Sequence, residues 1–186
     1  MKFFKKILIP LLIFIFSMSL IGCTKNEDNK ISSSTTNSKE ITTNTFPEFN
    51  AKTIDGKNIT NNIFKDKKLT VINIWGTFCR PCLNELPYLE EISNEMKSDD
   101  VNIIGIIIDG NENKENAANI LKKLNITYAN IIPSEDLVNN YLNKFNAIPV
   151  TLLVDKNQNI ISNTIVGAKT KEEYKSIIND ALKKLS

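Results

Sequence analysis

From Phe46 to the C-terminus, the hydrophobic pattern switches repeatedly between a period of two and a period near 3.6 residues. Phe46–Ile59 sets an Asp55–Gly56 pair between short stretches of apolar alternation, the pattern of a β-hairpin. Leu69–Trp75 (LTVINIW) is apolar at most positions on both faces and predicts a central strand. Arg80–Met96 predicts a helix, because Leu83, Leu86, Leu89 and Ile92 recur along one face; Pro87 should kink it. Val101–Ile108 (VNIIGIII) predicts a second buried strand and Lys114–Leu124 an amphipathic helix. Tyr128–Ile132 then reads as a short strand and Glu135–Phe145 as a helix. Val150–Val154, a turn over Asp155–Asn159 and Ile160–Val166 read as a terminal strand pair. Lys171–Leu185 closes the chain as a helix, with Lys183 and Lys184 at its negative end. Strands alternating with helices, followed by a hairpin and a last helix, give an α/β fold: a mixed sheet with helices on both faces.

The first 45 residues follow another pattern. Lys2, Lys5 and Lys6 precede Ile7–Ile21, an apolar run broken only by Pro10, Ser17 and Ser19. A basic flank followed by an apolar run is the layout of a secretory signal. At about 15 residues the run is shorter than the ~20 that cross a bilayer, so a permanent membrane helix is the weaker reading. The run ends in Leu20–Ile21–Gly22–Cys23, which resembles the bacterial lipobox. That resemblance implies cleavage after residue 22 and attachment of lipid to Cys23; the alternative is an ordinary signal with a coincidental cysteine. Thr24–Thr45 is rich in Asn, Ser, Thr and Lys and reads as a structureless tether, with an end-to-end distance of roughly 25 Å. The expected organisation is a signal over 1–22, a lipidated cysteine and tether over 23–45, and a folded domain over 46–186.

Composition narrows the chemistry. The 186-residue chain contains no histidine, which removes Ser–His–Asp and Cys–His catalysis and most zinc sites. Without Lys2, Lys5 and Lys6, the 23 basic residues become 20 against 21 acidic ones, a net charge of −1. No basic stripe stands out, so nucleic acid is not an expected partner. If Cys23 is lipidated, as the lipobox resemblance implies, two of the three cysteines, Cys79 and Cys82, are left as a pair. Two thiols do not complete a structural zinc site within one chain, although a site shared between two chains stays open. No metal and no cofactor beyond the pair itself are expected.

Cys79 and Cys82 stand where the predicted strand ending at Trp75 passes into a helix. Unpaired N–H groups and the positive end of the helix dipole stabilise a thiolate there. Cys79 is the expected exposed nucleophile, and Cys82, one turn inward, the resolving thiol. Arg80 adds positive charge, and Pro81 suits a first helical turn, where a missing N–H costs nothing. The competing reading is a structural disulfide, but a CxxC closes too small a loop to constrain the unfolded chain much.

The run Trp75–Gly76–Thr77–Phe78–Cys79–Arg80–Pro81–Cys82 resembles the W-x-x-[WF]-C-x-x-C signature of thioredoxin-like proteins. Its continuation through Glu85 and Pro87 is similar to the CxxCxxExP form of the TlpA/ResA branch of membrane-tethered thiol–disulfide reductases. Ala147–Asp155 resembles that family's cis-proline segment and following strand, and Gly167 falls where the family has a glycine. The resemblance covers about Phe46 to Ser186 and implies a thioredoxin-like fold with an N-terminal hairpin extension. It implies a cis Pro149 beside the cysteines, and a substrate edge formed by Trp75, Phe78, Arg80, Pro81, Ile148 and Pro149 that holds an extended strand. Without it, Pro149 reads as a proline entering an edge strand and Trp75 as a core residue. Glu85 would tune a cysteine or relay protons; its plainer reading is a solvated helix acid. Asn73 stands where cytosolic thioredoxins carry a buried aspartate, and it cannot act as a base at neutral pH. Asp109, at a strand end near the same edge, is a looser candidate.

By the same resemblance the protein would be a lipid-anchored oxidoreductase on the outer face of a bacterial cell membrane. It would draw electrons from a membrane thiol donor and reduce disulfides of exported proteins, with apocytochrome c among the target classes. A disulfide-forming oxidase is the alternative. A peroxidase fits less well, because the cysteine setting is not T-x-x-C, and a non-enzymatic lipoprotein would not need the intact pair and proline.

Overall fold

The computed structural model describes residues 44–186. The predicted signal, Cys23 and the tether as far as residue 43 lie outside the described residues. Seven strands form one sheet in the order β2-β1-β5-β4-β3-β6-β7. They are β1 (Asn50–Thr53), β2 (Asn58–Thr60), β3 (Leu69–Trp75), β4 (Val101–Ile107), β5 (Ala129–Ile132), β6 (Val150–Asp155) and β7 (Ile165–Val166). The helices are α1 (Asn62–Lys65), α2 (Arg80–Glu95), α3 (Lys114–Lys123), α4 (Glu135–Asn140) and α5 (Lys171–Lys184). β3, β4 and β5 run parallel, β6 and β7 are antiparallel additions on one side, and the β1–β2 hairpin joins antiparallel on the other.

β3 is central because all seven of its side chains are buried, as a parallel strand covered on both faces requires. Leu69, Val71 and Trp75 face one layer with Ile103 and Ile107 of β4, packed by α2, α3 and α5. Ile72 and Ile74 face the other with Ile104 and Ile106, packed by Phe46, Phe49, Phe64 of α1 and Leu137 of α4. α5 begins with a full capping box: Thr170 Oγ1 accepts from Glu173 N–H, and the Glu173 carboxylate accepts from Thr170 N–H.

Several elements depart from the sequence pattern. α1 was not evident in the sequence; it is a single turn whose one buried residue is Phe64, too short to display a period. α2 continues through Pro87 as one element. The helix expected over Glu135–Phe145 stops at Asn140, and a 3-10 turn over Leu142–Lys144 follows. The strand expected over Ile160–Val166 pairs only at its ends: Ile160 bridges Val154, and Ile165–Val166 pair with Thr151 and Val150. Among the described residues, pairing extends two residues ahead of Phe46. Asn44 exchanges backbone and side-chain hydrogen bonds with Ile160, and Thr45 bridges Asn159.

Candidate active site

Cys79 caps the N-terminus of α2, its sulfur accepting the Cys82 N–H at 3.3 Å, and the two cysteines are joined with an S–S distance of 2.05 Å. Cys82 is fully buried. Cys79 is 7% exposed, so the expected exposed nucleophile is largely covered in the bridged form. Its sulfur lies beside the chain before Pro149. The Ile148–Pro149 peptide is cis, and Ile148 O lies 3.8 Å from Cys79 Sγ.

The remaining edge residues divide into two groups. Trp75 is buried in the layer that holds both cysteines, and its indole N–H donates to Asn130 Oδ1 at 2.9 Å, so it is a core residue and a support for the pair at once. Phe78, Arg80 and Pro81 are on the surface, with Phe78 71% exposed, and Ile148 is half-buried. The Phe78 ring and Ile148 Cδ1 both converge on Gly76, where a Cβ would meet them at 3.0 and 3.2 Å. Val166, 57% exposed, pairs with Val150 next to Pro149. Gly167 N–H donates to Pro149 O at 2.9 Å, and its φ of +83° suits glycine. Asp109 holds the loop ahead of Cys79: its carboxylate accepts the Thr77 N–H at 3.0 Å and the Thr77 hydroxyl at 2.5 Å.

A polar row lies beneath the disulfide. Asn73 of β3 pairs with Thr151 of β6 and with Gly105 of β4, and Gly105 pairs with Asn130 of β5. Gly105 is required there, because a Cβ would lie 1.9 Å from Asn130 Oδ1 and 2.9 Å from Trp75 Nε1. Glu85 descends onto this row from α2. It is 1% exposed, which rules out the solvated helix acid. Its Oε1 accepts Asn73 Nδ2–H at 2.8 Å. Its Oε2 accepts the Tyr174 hydroxyl at 2.9 Å and the Lys169 backbone N–H at 3.1 Å. Tyr174 OH also lies 3.0 Å from Thr151 Oγ1, which accepts from Asn73 Nδ2 at 3.1 Å.

The profile of the family described as Redoxin matches residues 41–182. The chain is 29% identical over 133 residues to a thiol–disulfide oxidoreductase ResA of Geobacillus thermodenitrificans, covering 70% of this chain and 72% of the relative. It is 30% identical over 142 residues to a ResA of Bacillus cereus, covering 75% and 76%. It belongs to the thioredoxin-like TlpA/ResA family of thiol–disulfide oxidoreductases. The solved thiol:disulfide interchange protein of Chlorobium tepidum, a thioredoxin family protein, superposes with a TM-score of 0.65 at 27% identity, over 74% of this chain and 95% of that one.

In this oxidoreductase the carboxyl beneath the cysteines is electrostatically unusual. Burial pushes Glu85 above the ordinary carboxylate range, and the hydrogen bonds from Asn73, Tyr174 and Lys169 pull it partly back. Burial, with the Glu85 charge beside it, also pushes the Tyr174 hydroxyl well up, so it stays protonated. Sequence reasoning found Glu85 but neither Tyr174 nor Thr151. Tyr174 lies 89 residues from Glu85, and no local period joins the two.

Proposed function

We propose that the protein is held by lipid on Cys23 at the outer face of a bacterial cell membrane, where it reduces disulfides of exported proteins. A basic and apolar leader ending in Gly22–Cys23 supports the anchor. The arrangement of Cys79 at the start of α2, beside Ile148 O and over buried Glu85, supports the chemistry.

In that reading the Cys79 thiolate attacks a substrate disulfide, forming a mixed disulfide and releasing one substrate sulfur as a thiolate. Cys82 then gives its proton to the Glu85 carboxylate and attacks Cys79 Sγ. The Cys79–substrate bond breaks, and the second substrate thiolate departs and takes up a proton. Two electrons pass from the protein dithiol to the substrate, and no bound cofactor takes part. A membrane thiol donor would restore the dithiol by the same exchange in reverse. Phe78, Arg80, Pro81, Ile148 and Pro149 would receive the substrate strand, with Trp75 supporting them from below.

The reduction potential of the Cys79–Cys82 couple tests the direction of flow. Equilibration against dithiothreitol and glutathione buffers should give a value at or below about −270 mV, that of thioredoxin. A value towards about −120 mV would instead make the protein a disulfide-forming oxidase.

A further inference from the structure

Among the described residues, three groups bond the Glu85 carboxyl, and they are not equivalent. Asn73, as oriented in the structure, presents Nδ2–H, and Lys169 presents its backbone N–H. Both can only donate. They suit a carboxylate and offer nothing to the proton of a carboxylic acid. Tyr174 presents a hydroxyl, which can donate or accept. Its oxygen sits between Glu85 Oε2 at 2.9 Å and Thr151 Oγ1 at 3.0 Å, so its own proton has two alternative acceptors.

We propose that Tyr174 is the positioning residue that governs the proton on Glu85. With Glu85 ionised, the Tyr174 hydroxyl donates to Oε2. With Glu85 protonated, the hydroxyl turns its proton to Thr151 Oγ1 and accepts from the carboxyl. The Thr151 oxygen has two lone pairs, enough for both Tyr174 and the Asn73 Nδ2–H it already accepts. Loading and unloading Glu85 then needs one hydroxyl rotation in a closed interior. Asn73 and Thr151 from the sheet are uncharged. The other titratable or charged groups are Cys79 at the cap of α2 and Cys82 in its first turn, Lys169 ahead of α5, Tyr128 ahead of β5, and Glu173 of α5, whose charge acts on Tyr174. Tyr128 carries a buried hydroxyl that the Glu85 charge pushes further up. None of these bonds Glu85 through its side chain, and among the described residues Tyr174 is the one ionisable side chain that does.

The two alternative acceptors give two substitutions with opposite signs. Tyr174→Phe keeps the ring and removes the donor to the carboxylate. A charge-assisted bond is lost with it, so the ionised form loses more than the neutral one. Thr151→Val keeps the shape and removes the second acceptor. The Tyr174 proton then stays on the Glu85 side, which favours the ionised form.

The proposal builds on the role of Glu85 in the exchange, and its test separates the two. The full-length oxidised chain, in detergent and with carboxyl-labelled glutamate, is titrated by carbon-13 NMR; Glu85→Gln identifies the Glu85 signal. Tyr174→Phe should raise the Glu85 midpoint by roughly one pH unit, and Thr151→Val should lower it by a smaller amount. In the reduced protein, the pH profile of Cys79 alkylation should move in the same two directions. Circular dichroism checks folding, and Thr151→Ala removes the same hydroxyl if the valine variant does not fold. Shifts of the same sign, or none, would overturn the proposal and assign the proton to an inverted Asn73 amide or to no partner. If Glu85→Gln leaves the alkylation profile unchanged while the NMR midpoints still split, the role of Glu85 in exchange fails and the hydroxyl switch stands.

Discussion

The two faces of the sheet are built from the same strands and do different work. The face under α1 and α4 is almost wholly apolar. Ile72, Ile74, Ile104, Ile106, Val150, Leu152 and Val154 point into it, with Thr70 the polar exception among the strand residues and Asn61, ahead of α1, buried beside Phe49. It is sealed by edge-on aromatic contacts, with Phe46 5.9 Å from Phe49, 5.8 Å from Phe64 and 5.1 Å from Tyr141, centroid to centroid. The face under α2 and α5 has comparable apolar residues at its ends but carries Asn73, Thr151, Asn130 and Glu85 across its middle, all buried. Burying a carboxyl is unfavourable unless hydrogen bonds compensate it, and here three donors do so only in part. One face therefore supplies stability, while the other gives some up to keep a titratable group beneath a disulfide.

The sharpest test of that division is on the chemistry. Cys79→Ser should reduce turnover of a disulfide substrate such as insulin to the uncatalysed level while leaving the unfolding midpoint of the reduced protein nearly unchanged. Phe64→Ala should do the reverse. Emptying its fully buried site in the aromatic cluster should cost about 3–5 kcal/mol in chemical denaturation, with the reduction potential preserved. A large change in potential would show that the faces are coupled. Gly105→Ala should fall between them. It forces Asn130 from Trp75 and should cost roughly 1–3 kcal/mol, with loss of the Trp75 fluorescence environment as the local readout.

The effect of pH is smaller and has a definite sign. The native Glu85 carboxyl holds its proton above the ordinary value near 4.5, so the native state binds more protons than the unfolded one in that window. Stability should therefore fall as pH rises from about 4.5 through the raised native value, then level off. Glu85→Gln should remove this contribution to the slope in denaturant titrations across that range. The smallest effect belongs to the surface. Lys171 bridges Glu91 and Glu95 at 2.5 Å between α2 and α5. Those acids are partly exposed, so Lys171→Met should leave the unfolding midpoint nearly unchanged in the same titrations.

The two faces also differed in how far they could be read from the chain. β3, β4 and α2 are legible because a seven-residue stretch that is apolar at most positions, or a helical stripe, is a local signal, and Cys79–Cys82 at the junction of β3 and α2 is a local motif. The apolar face hides its closure: Phe64 sits on a single turn, and Phe46 and Tyr141 meet across 95 residues. The polar face hides its logic. Asn73, Thr151 and Tyr174 are single polar or aromatic letters in otherwise apolar patterns. Their meaning appears only when β3, β6 and α5 come together. The shortening of the Ile160–Val166 strand does have a local trace, since the polar run Ser162–Asn163–Thr164 separates the apolar residues at its two paired ends.

The polar row has a further consequence, for strand alignment. A one-residue slip of β6 against β3 turns every β6 side chain to the wrong face, so burial alone resists it. A two-residue slip preserves the faces and would pass that filter. It would, however, set Pro149 or Leu153 beside Asn73 in place of Thr151. The Asn73 amide and the Tyr174 hydroxyl would then each lose a buried partner, at about 1–3 kcal/mol apiece. A threonine buried among leucines and valines thus acts as an alignment mark, favouring the pairing that brings the cis-proline segment level with the disulfide.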